Sequence, residues 1–362
     1  NAPVPNTLLT YLTQNRKTLH PWLAKKWQEA GGKTEGTWQE VFGADMYTDE
    51  IFMAWHYASY VERMIQGGRA IYNLPMYVNA AMNSRGRTPG EYPSAGPLAH
   101  LIDIWHCAAP GIDLLAPDLY DKGFTDWTAQ YKLHNNPLFI PEIRLEPNDG
   151  VRAFYVFGEH DGIGFSPFSI EDAPDTPDYP LSQSYRKLKE LMPLVTRYQG
   201  KGVMKGLLFD QVDKERTLEW DNTLLICKHF FTLPWDARAT DGSVWPEGGG
   251  LVIRMAEDEY LIAGSGIVIE FKSKEEAALN TAQAKLGEDG FMLKGENEQG
   301  DSTHWKGEKR IGIGSVDQVS IATDGSLNFI RRLNGDQDHQ GRHARIGVDD
   351  FQILHVKLYE YK

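Results

Sequence analysis

Residues 137–144 read PLFIPEIR, a short apolar run that ends on a carboxylate, Glu142, with a cation, Arg144, two places further on. An acid in that position has two readings. It is a strand terminus paired with the arginine at the surface, or it is held at the mouth of a scaffold to do chemistry. The flanking sequence says what the scaffold is. Upstream, LPMYVNA (74–80) leads to Asn79, and IDLLAPDLY (112–120) ends in Asp118 and Tyr120; downstream, GIGFSPF (162–168) makes a fourth apolar run. Stretches with helical spacing lie between them near 98–108, 124–133 and 149–158, and the amphipathic SQSYRKLKELMPLVTRY (182–198) closes the series. Apolar strands alternating with helices predict a parallel sheet whose strands are buried on both faces. In enzyme barrels of that kind the active site sits at the carboxyl ends of the strands, where these polar residues fall.

The region holds four strand–helix units, whereas a closed (β/α)8 TIM barrel requires eight. Ahead of them, residues 6–31 carry Leu8, Leu9, Leu12, Leu19, Leu23 and Trp27 on a helical spacing broken at Pro21. A second helix is expected over 48–66, capped by Thr48 or Asp49. Beyond about residue 200 the texture turns to β. KGVMKGLLF, TLLICKHFF, GLVIRMA, EYLIAGSGIVIEF, IGIGSVDQVSIA, LNFIRRL and FQILHVKLYEY are separated by Gly, Asp and Asn clusters. That spacing predicts an antiparallel β-sandwich or jelly roll. The expected fold class is therefore α/β plus all-β: a partial (β/α)8 barrel over 1–200, then a β-sandwich domain over 201–362, with the boundary near Gly200–Gly206.

Composition narrows the function. The 362 residues carry a formal charge of −13 and no Lys/Arg-rich run, which argues against nucleic acid as a partner. Ten tryptophans and 16 tyrosines serve either core packing or stacking against sugars. The two cysteines, Cys107 and Cys227, have no metal-ligand spacing around them and read as buried thiols. No stretch is long and apolar enough to span a membrane. The opening NAPVPNTLL has no basic region or apolar signal core, so any export signal is expected upstream of it.

Glu142 is the leading catalytic candidate. A carboxylate at a barrel strand's carboxyl end can attack an anomeric carbon, and Arg144 beside it would keep it ionised. Asn79, Asp118 and Tyr120 end neighbouring strands, and convergent polar groups on one face are what a sugar site needs. In FGEHDGIGFSPF (157–168), Glu159, His160 and Asp161 precede a strand and so belong to its amino end, away from such a site. DQDHQGRH (336–343) spaces His339 and His343 like helical metal ligands, but Gly335 and Gly341 argue for a loop, and no metal is expected. The paired glycines of IGIGSV and GSGIVIE precede no helix, and no G-x-S-x-G elbow opens one. No cofactor is implied.

Longer motifs carry a resemblance. YVNAAM, GEYPSAGPLAHLIDIWHCAAPGIDLLAPDLY, NPLFIPEIR and FGEHDGIGFSPFSIED resemble the second half of the catalytic barrel of β-galactosidase-like enzymes of glycoside hydrolase family 35. RRLNGDQDHQGRH resembles the β-rich domain that follows the barrel in one branch of that family. The resemblance implies a retaining glycosidase acting on β-galactosides or related oligosaccharides. Glu142 matches the nucleophile at the end of barrel strand seven, with Asn79, Asp118, Tyr120 and Arg144 around the sugar. It also implies export to the periplasm or the outside of the cell. Retaining chemistry needs a second carboxyl group as acid and base. In the family that glutamate follows strand four, upstream of the region matched here, and GENEQG (295–300) reads as a decoy hairpin. The expectation is thus a fragment or truncated relative, completed by a second copy or by a chain supplying the amino-terminal half-barrel, since open strand edges invite pairing. The alternative is a non-catalytic, sugar-binding or self-associating remnant. A polysaccharide lyase or deacetylase fits less well, for want of a metal or His/Tyr cluster.

Overall fold

The computed structural model describes residues 2–83, 85–174, 176–279, 285–286, 292–293 and 309–362. Two compact units make up the chain, one of Asn1–Glu146 with His160–Ala173 and one of Pro147–Glu159 with Pro174–Lys362.

The first unit opens with α1 (Asn6–Gln14), α2 (Pro21–Glu29), α3 (Trp38–Phe42) and α4 (Met46–Ile71). The break expected at Pro21 is a helix start. Proline there lacks only an N–H that has no intrahelical partner anyway, and His20 Nδ1 accepts from Trp22 N at 3.2 Å. Thr37 and Glu40 close a reciprocal capping box on α3. The cap of α4 is Asp45, which accepts from Thr48 N at 3.0 Å, and not Thr48 or Asp49 as the sequence pattern suggests. Thr48 is buried and donates its hydroxyl to Gly43 O at 2.6 Å, so it serves the packing of the preceding turn. Leu8, Leu12, Leu23, Phe42, Ile51, Leu101 and Ile102 form the centre of this unit's core.

Four parallel strands follow, β1 (Tyr77–Ala81), β2 (Leu114–Leu119), β3 (Phe139–Ile143) and β4 (Gly164–Pro167), side by side in that order. Between them run α5 (Ile102–Ala108), α6 (Phe124–Tyr131) and α7 (Asp149–His160). Burial on both faces holds for β2, which is buried along nearly its whole length. It fails for β1, where Tyr77, Asn79 and Ala81 are exposed while Val78 and Ala80 pack on the core. Among the described residues β1 pairs only with β2, so its pleat has one covered face and one open one. Behind the sheet, Asp103 on α5 is fully buried. It accepts from Tyr11 Oη at 3.1 Å and from His20 N at 2.8 Å, and His134 Nε2 lies 2.7 Å from it.

The second unit contains α7 up to Glu159 and α8 (Pro180–Tyr198). The strands are β5 (Met204–Phe209), β6 (Glu215–Trp220), β7 (Thr223–His229), β8 (Gly248–Ala256), β9 (Glu259–Ser265) and β10 (Ile267–Ser273). After α9 (Lys274–Leu279) come β11 (Lys285–Leu286) and β12 (Met292–Leu293), then β13 (Arg310–Ile321), β14 (Leu327–Leu333), β15 (Ala344–Ile346) and β16 (Gln352–Tyr361). They build a six-stranded antiparallel sheet, β14-β13-β16-β9-β8-β5, and a four-stranded one, β15-β10-β7-β6, with β11 and β12 as a separate pair. Leu207, Val252, Ile262 and Leu354 of the first share one apolar core with Leu225, Cys227, Ile267 and Ile269 of the second. The change of texture at Gly200–Gly206 lies inside this unit, between α8 and β5.

Glycines explain how α7 lies on the β-rich unit. A Cβ on Gly158 would stand 2.6 Å from that of Leu251, and one on Gly206 2.6 Å from Tyr155 O, so helix and strand approach where neither has a side chain. Beside this contact Glu159 takes two hydrogen bonds from Arg216, at 2.9 and 3.0 Å. That is the structural use of the glutamate in FGEHDG. His160 instead meets Thr128 Oγ1 at 3.1 Å in the first unit. GENEQG (295–300) lies outside the described residues. Among the described residues no helix is long and apolar enough to cross a membrane.

Candidate active site

The middle of β1 and the carboxyl ends of β2 and β3 bring four of the five residues singled out in the sequence into two hydrogen-bonded pairs. Parallel register sets Asp118 of β2 beside Glu142 of β3, on strands that stand roughly 4.8 Å apart. Asn79 Nδ2 donates to Asp118 Oδ1 at 2.7 Å, and Tyr120 Oη donates to Glu142 Oε1 at 2.5 Å. Local sequence aims these groups. Pro117 and Pro141 immediately precede the two acids and hold φ near −65°. The pairing of β3 with β4 shifts register between Ile140 and Ile143, an irregularity that spans Pro141 and Glu142. Irregularities of this kind re-aim a side chain at the end of a ladder, as bulges do.

Arg144 does not take the place expected for it. Its guanidinium stands 5.9 Å from the Tyr120 ring centre, and its Nε lies 3.9 Å from Glu146 Oε1. The arginine therefore props the tyrosine, and the donor that reaches Glu142 is a phenol. Residue 144 is two past Glu142, beyond the end of the strand at Ile143, so its side chain follows the outgoing loop.

The electrostatics fit a pair of acids close together. Burial pushes the Asp118 carboxyl up from its ordinary value, the charge on Glu142 adds to the rise, and the Asn79 hydrogen bond opposes it. Burial also raises the Tyr120 phenol, to about 12, with the hydrogen bond to Glu142 and the two carboxylates contributing. Tyr120 therefore keeps its proton and remains a donor to the glutamate. For Asp118 the direction sets a pH dependence. A carboxyl whose folded pKa lies above its unfolded value contributes stability in full below the unfolded value and loses it as pH rises through the folded one. Asp118→Asn is expected to raise the melting temperature of the first unit near neutral pH, with the gain vanishing on acidification through the raised pKa. Calorimetry over a pH series measures this, and a variant less stable than wild type at neutral pH contradicts it.

Two ring residues away from the site, at the amino ends of their strands, went unremarked in the sequence. Tyr77 lies on the open face of β1, two residues before Asn79, and its ring meets that of Phe139 edge-on at 5.2 Å. Strand alternation from Asn79 was the available signal for Tyr77. Its contact with β3 depends on a neighbour across the sheet. Among the described residues no group of three or more His, Cys, Asp or Glu side chains is placed to hold a metal ion.

Comparison with known proteins adds one likeness. Residues 181–345 match a family described as a domain of unknown function, DUF5597. The match begins in α8 and ends in β15, so it falls wholly within the second unit, and α8 goes with the β-rich region there as it does in the structure. No curated protein matches the chain.

Proposed function

We propose that this chain belongs to a retaining glycoside hydrolase of β-galactosidase type, with Glu142 as its nucleophile. The observation that carries the reading is the convergence of Asp118, Tyr120 and Glu142 at the carboxyl ends of two adjacent parallel strands, with Asn79 of β1 hydrogen-bonded to Asp118. A Glu142 oxygen attacks the anomeric carbon as the bond to the leaving oxygen breaks, which gives a glycosyl ester that water then hydrolyses. Tyr120 holds the glutamate in one orientation, and Asn79 and Asp118 take sugar hydroxyls. The four strands are on this reading half of a (β/α)8 barrel, and the two antiparallel sheets of the second unit form a sandwich. The second carboxyl, which protonates the leaving group and later activates water, comes from strands that another polypeptide segment contributes. The test is covalent capture of a galactoside whose leaving group needs no protonation; capture on Glu142 is the expected result, and its absence overturns the assignment.

A second reading, a non-catalytic protein that associates with itself, has its own observation. Met53, Tyr57, Tyr60 and Met64 form an exposed apolar stripe along α4, which Ile71, Tyr72, Leu74 and Tyr77 continue toward β1. A contiguous apolar patch of this kind marks an interaction surface. Self-association predicts a mass above the 40.9 kDa of one chain by light scattering. A monomer at every concentration removes this reading and leaves the stripe for a different chain.

A further inference from the structure

A concave site lies in the β-rich unit, away from Glu142 in sequence and built by other elements. A cleft of about 590 Å³ is lined by the segment after β7, by β14, by β15 and by the approach to β16. This volume falls within the roughly 300–1,000 Å³ typical of small-molecule sites. On one side stands Trp235, 52% exposed although tryptophan is among the most costly side chains to leave in water. His339 stacks against it at 4.6 Å, with planes 27° apart, and the guanidinium of Arg345 lies 5.6 Å from its ring centre. The two histidines of DQDHQGRH thus find a use as ring packing, since His343 also lies nearly parallel to Trp235.

The charges of the lining are unequal. Arg238 is neutralised by Asp236, which takes two hydrogen bonds from it at 2.9 Å. Arg331 and Arg345 have no carboxylate within ion-pair distance among the described residues. Their Nε atoms are spent on Gln318 Oε1 at 2.7 Å and on Gln337 O at 3.0 Å, which fixes both forks in place. Against these two cations the cleft wall sets Asp350, itself hydrogen-bonded to Gln352, and Asp336 and Asp338 act on Arg345 from beyond ion-pair distance. In a chain of net charge −13, two fixed guanidiniums facing a cleft call for an anion. The carboxylate of Asp350 beside them opposes a polyphosphate, whose every oxygen repels it, but suits hydroxyl groups, which donate to it.

From this geometry we infer that the cleft binds an acidic sugar, a hexuronate unit of an oligosaccharide. Arg331 and Arg345 take its carboxylate, the exposed indole of Trp235 takes the apolar face of its ring, and Asp350 and Gln337 take its hydroxyls. The site owes nothing to the reading of Glu142 and stands or falls separately.

Titration calorimetry on the full chain tests this, with trimers of galacturonate, glucuronate and mannuronate as probes and galactotriose as the neutral control. At least one uronate trimer binds, galactotriose binds at least about tenfold more weakly, and Arg345→Gln or Arg331→Gln each weakens uronate binding at least about tenfold, as loss of a charge-assisted hydrogen bond requires. Trp235→Ala, at a half-exposed position, weakens it as well. Arg331 lies on an exposed strand face, so its variant folds even if that of Arg345 does not, and the thermal melt of each variant checks this. Binding of none of the three trimers overturns the inference. Uronate affinity unchanged in Arg331→Gln and Trp235→Ala overturns it too, as does equal competition by inorganic pyrophosphate, which would make the cleft a simple anion site.

Discussion

Glu142→Gln is expected to abolish labelling by a 2,4-dinitrophenyl 2-deoxy-2-fluoro-β-galactoside, whereas the unaltered chain gains one fluorogalactosyl group per molecule by intact mass. The reagent fits the proposed chemistry, in which Glu142 is the nucleophile and the general acid comes from elsewhere. Dinitrophenolate departs without protonation, so the step needs a nucleophile and a bound sugar and no general acid. The fluorine at C2 slows hydrolysis of the ester, so the adduct accumulates long enough to be located on the peptide that contains PLFIPEIR. Loss of a single catalytic group costs roughly a thousandfold or more in rate, and labelling of the variant within the hours of the experiment would exclude Glu142 as the nucleophile. Tyr120 refines the same measurement. Its hydroxyl is the donor on Glu142 Oε1, so Tyr120→Phe should slow labelling without preventing it.

The second large effect concerns the first unit's stability. Asp103 is fully buried, and three groups far away in sequence depend on it: the Tyr11 hydroxyl, the His20 amide and the His134 ring. Asp103→Ala leaves these donors without an acceptor inside the core and should cost about 3–5 kcal/mol, the range for breaking a buried charged pair. Calorimetry would find the unfolding of the first unit shifted sharply down, and a loss below about 1 kcal/mol would mean that the network is incidental. A pH signature accompanies it. The hydrogen bond to Asp103 raises the His134 pKa above 6.5. Its contribution is complete below the unfolded value and is lost as pH rises through the folded one. His20, pushed down chiefly by burial, acts in the opposite sense and weakens the unit as pH falls. In Asp103→Ala the alkaline decline due to His134 disappears and the acidic one stays.

The sheet of the first unit was legible because its signal is local. A buried parallel strand is a run of apolar residues, and the runs at 74–80, 112–120, 138–144 and 162–168 each contain or overlap an observed strand. Their polar ends follow from the same runs, which set Asp118, Tyr120 and Glu142 at one edge of the sheet, whereas β1 runs two residues past Asn79. Partners at that edge were not legible. Whether Glu142 meets Arg144 or Tyr120 depends on where the chain turns after Ile143 and on the register shift across Pro141 and Glu142. The cap of α4 was misread because Thr48 and Asp49 are good caps by type, and only the buried environment of Thr48 commits it elsewhere. The cleft at Trp235 was hidden for a different reason. Its walls come from residues near 235, 331, 345 and 350, each unremarkable in its own segment, and no periodicity joins them.

The path of the chain between its two units has a consequence for how the molecule is made. The backbone crosses from one unit to the other three times, at 146–147, 159–160 and 173–174, with α7 given to the second unit before β4 is laid down in the first. No single cut separates the units, and neither is a continuous stretch. As the polypeptide leaves the ribosome, at roughly 5–20 residues per second, β1, β2 and β3 emerge with their helices while the strand that completes their sheet is still unsynthesised. Until residues 164–167 appear, β3 presents an open edge at the position of Glu142. The nascent chain must keep that edge from other strands while α7, already outside, waits for a β-sheet that is assembled last.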